Sequence, residues 1–127
     1  MVDDLKYDLR IYVLLNACNP LRVYIHEEGL ARFCTEPYRK PTARNMDNLF
    51  MHLTNYAINK NSDAYQQAED ESSGDEESGH KRSLKAIMKI LAACGADSDL
   101  LMQQIKDIIV KTMATSQPYL AHLYRSC

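Results

Sequence analysis

From Lys6 to Leu15 apolar and polar residues take turns, and this alternation constrains the fold more than any other feature of the chain. Successive side chains of a strand point to opposite sides, so Tyr7, Leu9, Ile11, Val13 and Leu15 share one face. Lys6, Asp8, Arg10, Tyr12 and Leu14 share the other. A helix would scatter both sets, so the stretch predicts a strand that needs partner strands and a covered face. The polar side, with Lys6, Asp8 and Arg10 close together, reads either as a solvated outer face or as the wall of an anion-binding site.

The next segments continue in the same style. Asn16 to Pro20 predicts a turn by its Asn and Pro content, and Leu21 to Ile25 a second strand with Leu21, Val23 and Ile25 inward. His26-Glu27-Glu28-Gly29 predicts a hairpin connection with Gly29 at positive φ, and Leu30 to Thr35 a third strand. Arg32 lies between Leu30 and Cys34 on one face, so it needs an anionic partner. A protein carboxylate and a ligand both satisfy that need.

The second half changes period. Ser83 is placed to cap a helix whose stripe is Leu84, Ile87, Met88, Leu91 and Cys94, stopped by Gly95. Asp97 or Ser98 caps a longer helix with Leu101, Ile105, Ile108, Ile109 and Met113 as its core stripe. Pro118 bends or restarts that helix, with Tyr119, Leu120 and Leu123 carrying the apolar face onward. Strands followed by helices give an α+β class.

Between the halves the composition shifts. Residues 1–60 hold eight Lys/Arg against seven Asp/Glu, residues 61–80 hold seven acids and no Lys or Arg, and residues 81–127 hold seven basic against three acidic residues. The segment at about 61–80 therefore reads as an acidic loop on a mildly basic body that attracts acidic partners. Cys18, Cys34, Cys94 and Cys127 stand singly, with no C-x-x-C pair, so free thiols are expected and no metal site is assigned. No apolar run reaches the length of a membrane span, and no leader peptide is expected at the N-terminus. Nucleic acid is disfavoured by the acidic loop and by the lack of a basic helix or clustered aromatics.

His52-Leu53-Thr54-Asn55-Tyr56-Ala57-Ile58-Asn59-Lys60 gathers short polar side chains, with Thr54 and Asn55 adjacent and Lys60 at the end. Such groups suit phosphate or ribose oxygens held near the backbone, or else satisfy the backbone of a polar junction. Just before it, Glu36 to Arg44 reads as a loop interrupted by Pro37 and Pro41 and basic at Arg39, Lys40 and Arg44, and Asn45 as the cap of a short helical turn to Met51.

Three motifs stand in series: Lys6-Tyr7-Asp8-Leu9-Arg10-Ile11-Tyr12-Val13-Leu14, then Glu28-Gly29-Leu30-Ala31-Arg32-Phe33, then His52-Leu53-Thr54-Asn55-Tyr56. In this order and spacing they closely resemble the tubulin–tyrosine ligase-like family, over nearly the whole chain, and within it the polyglutamylase branch. The resemblance implies part of an ATP-grasp-like domain and an ATP- and Mg²⁺-dependent ligase. Such an enzyme joins free glutamate to glutamate side chains in tubulin C-terminal tails, through an acyl phosphate attacked by the incoming amine. It also implies a cytoskeletal setting, in the cytoplasm and at cilia or flagella. By resemblance, Lys6, Asp8, Thr54 and Asn55 contact the nucleotide, and Arg10 lies beside the phosphates and acyl group as the catalytic residue. Arg32, Tyr56, Ala57 and Lys81 hold the incoming glutamate, Ala57 through its backbone because many relatives carry Ser there.

The same resemblance places the nucleotide-covering loop and adenine hinge before Lys6, and the magnesium-binding Asp and a Glu-x-Asn motif after Cys127. None of these occurs between Met1 and Cys127, and the acids of 69–77 are a poor preorganised Mg²⁺ site. The expectation is the central part of a catalytic domain, inactive alone. The alternative is a non-catalytic module that binds acidic tubulin tails with the basic body and the loop Arg39–Arg44.

Overall fold

The alternating stretch forms strand β1, Leu5–Cys18, in the computed structural model, which describes residues 1–66 and 79–126. Its odd-numbered positions from Leu5 to Leu15 are half-buried, while Lys6, Arg10, Tyr12 and Leu14 are exposed, the pattern that a one-sided sheet imposes. Asn19 and Pro20, joined by a cis peptide bond, make the turn to β2, Leu21–Pro37. A short β3, Lys81–Ser83, adds to the far side of β2, so the sheet order is β1-β2-β3. The result is an antiparallel three-stranded sheet followed by helices, in agreement with the α+β expectation.

Two details of the sheet correct the reading from sequence. Gly29 makes no hairpin: β2 runs unbroken through it, and the third strand is β3 rather than Leu30–Thr35. Gly29 is required for space, not for positive φ, since a Cβ there would lie 2.6 Å from the Arg10 carbonyl oxygen and 3.3 Å from Leu84 Cδ2. A glycine of this kind marks close backbone approach and carries the same letter as one in a turn.

The chain divides into two compact units, Met1–Arg10 with Glu28–Ile87, and Ile11–Glu27 with Met88–Cys127. The first holds the core: Val2, Ala31, Phe33, Cys34, Met51, Leu84, Ala86 and Ile87 are all buried. At its edge the turn Val2–Leu5 places Asp3 and Asp4 at φ of 53° and 58°, a region that Asp tolerates better than most residues. Asp3 is held there by Arg82, at 2.6 Å, whose guanidinium also covers the Phe33 ring at 4.5 Å.

Two single-turn helices follow the strands, α1 over Leu49–His52 and α2 over Tyr56–Asn59. Asn45 does not cap α1. Its side chain instead closes the preceding loop, accepting from Thr42 N at 2.7 Å and donating to Lys40 O at 3.0 Å. Ser83 caps α3, Leu84–Ala93, as its position suggested: its hydroxyl accepts from Ala86 N at 3.0 Å. Gly95, at φ +85°, ends that helix with a bond from its N–H to Ala92 O.

In the second unit Asp97 caps α4, Ser98–Arg125, accepting from Leu100 N at 2.9 Å. The helix runs through Pro118 without restarting. Thr112, Thr115 and Ser116 return their hydroxyls to carbonyls one turn back, and Gln117 donates to Cys18 O at 2.8 Å. The expected core stripe of α4 is not core: Leu101, Ile105, Ile109 and Met113 are half-buried, and Ile108 is 63% exposed. Among the described residues of this unit no side chain is fully buried. No helix among the described residues is long and apolar enough to cross a membrane.

Candidate functional site

The polar face of β1 provides one wall of the site. Lys6 Nζ donates to His52 O at 2.6 Å, tying this cation to the residue two positions before Thr54. Asp8 receives the Arg32 guanidinium side-on, with Nε at 3.0 Å from Oδ1 and Nη2 at 2.5 Å from Oδ2. Arg32 therefore has a protein carboxylate as a partner, and this fork geometry fixes the plane of its guanidinium.

The β2–β3 register supplies the second wall. Leu30 pairs with Ser83, Ala31 with Arg82, and Arg32 with Lys81, so two cations far apart in sequence lie opposite each other. Like charges on facing strand positions repel, and here the Asp8 carboxylate offsets one of them. The Phe33 N–H continues the ladder to His80 O at 2.9 Å.

These walls enclose a cleft of about 190 Å³ lined by Arg10, Leu30, Arg32, Phe33, Thr54, Tyr56, Asn59, Tyr65, His80 and Lys81. Of the residues singled out by sequence, Arg10, Arg32, Thr54, Tyr56 and Lys81 come together here. Asp8 joins them through its ion pair. Lys6, Asn55 and Ala57 are exposed and do not line this cleft, Asn55 being the cap residue of α2 with no capping bond from its side chain. The acids of 69–77 lie outside the described residues. Three cations against one carboxylate leave a surplus of positive charge, which favours an anionic ligand.

Five lining residues were not foreseen as site residues: Leu30, Phe33, Asn59, Tyr65 and His80. Asn59 is 1% exposed and spends its carboxamide internally, accepting from Thr35 N and Thr35 Oγ1 and donating to Leu53 O and Asn55 O. It fixes the His52–Lys60 stretch to β2, so part of that polar run satisfies its own backbone, as one of the two readings held. Tyr56, Tyr65 and His80 form an aromatic row, with centroids 5.9 and 5.7 Å apart. The His80 imidazole is pushed below its ordinary 6.5 chiefly by burial, with the charge of Arg82 lowering it further. The Cys34 thiol is pushed above 9.0, chiefly by burial, with Lys6 opposing and Asp8 adding to the rise. Cys18, Cys34 and Cys94 are free thiols, as expected.

Three converging cations, a bidentate Arg–Asp pair and Thr54 make a cleft whose surplus charge suits a carboxylate or a phosphate. Comparison with known proteins makes the class definite: the chain belongs to the tubulin-tyrosine ligase family, whose profile matches residues 1–126. It is 42% identical over its whole length to tubulin polyglutamylase ttll6 of Danio rerio and 42% to tubulin polyglutamylase TTLL13 of Homo sapiens. It is 41% identical over 98% of its length to tubulin monoglutamylase TTLL4 of Mus musculus. The chain spans only 15%, 15% and 10% of the lengths of these three relatives.

Proposed function

We propose that this chain is the central part of an ATP-grasp-like ligase domain that adds glutamate to glutamate side chains in tubulin tails. The observation that carries the reading is the convergence of Arg10, Arg32, Thr54, Tyr56 and Lys81 on one cleft. Free glutamate offers two carboxylates, and a paired Arg32 and Lys81 on facing strands suit one of them. Tyr56 closes the pocket beside them, and Ala57 contributes through its backbone. Arg10, on the outward side of β1, stabilises the negative charge that develops when the acceptor carboxylate reacts.

ATP fits the residues present. Lys6 is already tethered beside the His52–Asn55 stretch, and an ammonium has three donors of which His52 O takes one. Lys6, Thr54 and Asn55 would hold the nucleotide with Asp8, and ATP when bound supplies the phosphoryl group that activates the acceptor. Magnesium does not find its ligands among the described residues: no three His, Cys, Asp or Glu side chains cluster there. Its carboxylates belong, on this reading, to parts of the domain outside Met1–Cys127, and no step is assigned to the metal here. Tubulin tails are acidic partners for the basic body, which places the activity on the cytoskeleton.

The test is glutamate incorporation into microtubules. In a full-length family member carrying these residues, Arg10→Ala and Lys81→Ala are expected to abolish incorporation rather than merely weaken microtubule binding. Residues 1–127 alone are expected to give no turnover. Retained incorporation in both variants would remove the ligase site from this cleft.

A further inference from the structure

The cleft contains a side chain to which the resemblance assigns no role and which the fold holds in a defined state. His80 is clamped from several directions. Its Nδ1 accepts the Gln66 N–H at 3.0 Å, and its own backbone N–H returns to Gln66 O at 3.1 Å. Tyr65 stacks on the ring at 5.7 Å and 28°. The backbone of His80 also receives Phe33 N–H at 2.9 Å, which locks its place immediately before β3.

This arrangement fixes the tautomer. A ring nitrogen that accepts a backbone N–H carries no proton, so the neutral imidazole has its hydrogen on Nε2. Nε2 has no hydrogen-bond partner among the described residues, although His80 lines the cleft with Arg10, Arg32 and Lys81. His80 is half-buried, and a donor without a protein partner on the wall of a cationic cleft is matched by an acceptor that brings negative charge.

We propose that His80 is a substrate-binding residue, its neutral imidazole donating the Nε2 hydrogen to a carboxylate of the anionic amino acid held by Arg32 and Lys81. The inference rests on the glutamate-site reading above and adds to it a donor that is not a charge. The neutral ring completes the recognition of a carboxylate without adding a further cation to the repulsion between Arg32 and Lys81. Low basicity of the ring, from its burial, agrees with this state.

Two substitutions separate binding from structure, because each keeps one half of the imidazole. His80→Asn places an amide oxygen near the Nδ1 position and preserves the bond from Gln66 N–H, but has no donor at Nε2. His80→Gln places an amide nitrogen near Nε2 and loses the bond to Gln66. L-glutamate is titrated against this chain and both variants by ligand-observed NMR, with thermal unfolding recorded in parallel. Expected is a Tm for His80→Asn within about 3 °C of the original chain, with L-glutamate bound about tenfold more weakly. His80→Gln is expected to lose more Tm and to keep affinity within about threefold, a change worth under one hydrogen bond. Unchanged affinity in His80→Asn overturns the role of His80 alone. Affinity that simply follows Tm in both variants overturns it too. Failure of the original chain to bind L-glutamate overturns the underlying assignment of the cleft.

Discussion

Asn59→Ala removes one carboxamide and four hydrogen bonds. Oδ1 accepts from Thr35 N and Thr35 Oγ1, both at 3.1 Å, and Nδ2 donates to Leu53 O at 2.6 Å and Asn55 O at 3.1 Å. Asn55 O keeps its bonds from Ile58 N and Asn59 N, and the Thr35 hydroxyl can rotate to another acceptor. Two groups are then orphaned, the Thr35 N–H and the Leu53 carbonyl. At about 1–3 kcal/mol for each buried unsatisfied group, the loss is about 4 kcal/mol. That is a large share of the roughly 5–15 kcal/mol by which a domain is stable, and lowers Tm by about 15 °C. The chain has no Trp and eight Tyr, so urea unfolding is best followed by circular dichroism and tyrosine emission. Asn59→Asp is expected to be at least as damaging at neutral pH, because it sets a carboxylate oxygen against the Leu53 carbonyl, and to recover partly in acid. A loss below about 1 kcal/mol in Asn59→Ala would refute the hub role of this side chain.

Further outcomes follow from other contacts. Gly29→Ala brings a methyl to 2.6 Å from the Arg10 carbonyl, so β1 and β2 must part, at a cost of about 1–3 kcal/mol by denaturant unfolding. Asp97→Ala removes the cap of α4 and is expected to cost about 1 kcal/mol, with Asp97→Asn restoring most of it. Cys94, exposed, is expected to react with iodoacetamide in the native protein, whereas Cys34, buried and with its thiol raised above 9.0, reacts only on unfolding, as read by mass spectrometry. Because the His80 imidazole lies below 6.5 in the folded chain, the unfolded chain takes up the proton first as pH falls. Its effect on stability is therefore absent above about 6.5 and grows as a loss below it, and His80→Asn should flatten that slope.

What could be read from the sequence was local. The alternation of β1, the caps at Ser83 and Asp97 and the stop at Gly95 each depend on residues within one turn or one strand, and each is found as expected. Gly29 was misplaced because tight turns and close backbone contact select the same residue. β3 is three residues long, too short to show a period, and its pairing with β2 joins positions about fifty apart. The stripe of α4 reveals which side is apolar but not whether anything covers it. The site divides along the same line. Arg32 showed its need for an anion, yet nothing in its neighbourhood distinguished Asp8 from a ligand. Asn59 lay in the polar run that stood out, but its tie to Thr35 crosses 24 residues, and His80 meets Gln66 across 14, so neither role was legible beforehand.

The uneven burial has a practical consequence for handling the protein. Proteases act on chain that has opened, and opening is easiest where no side chain is fully enclosed. Lys106, Lys111 and Arg125 all stand exposed on α4, as Arg39, Lys40 and Arg44 do on the loop after β2, so trypsin has accessible bonds in both places. Limited digestion should cut that helix and that loop while the segment from Ala31 to Thr35 survives intact.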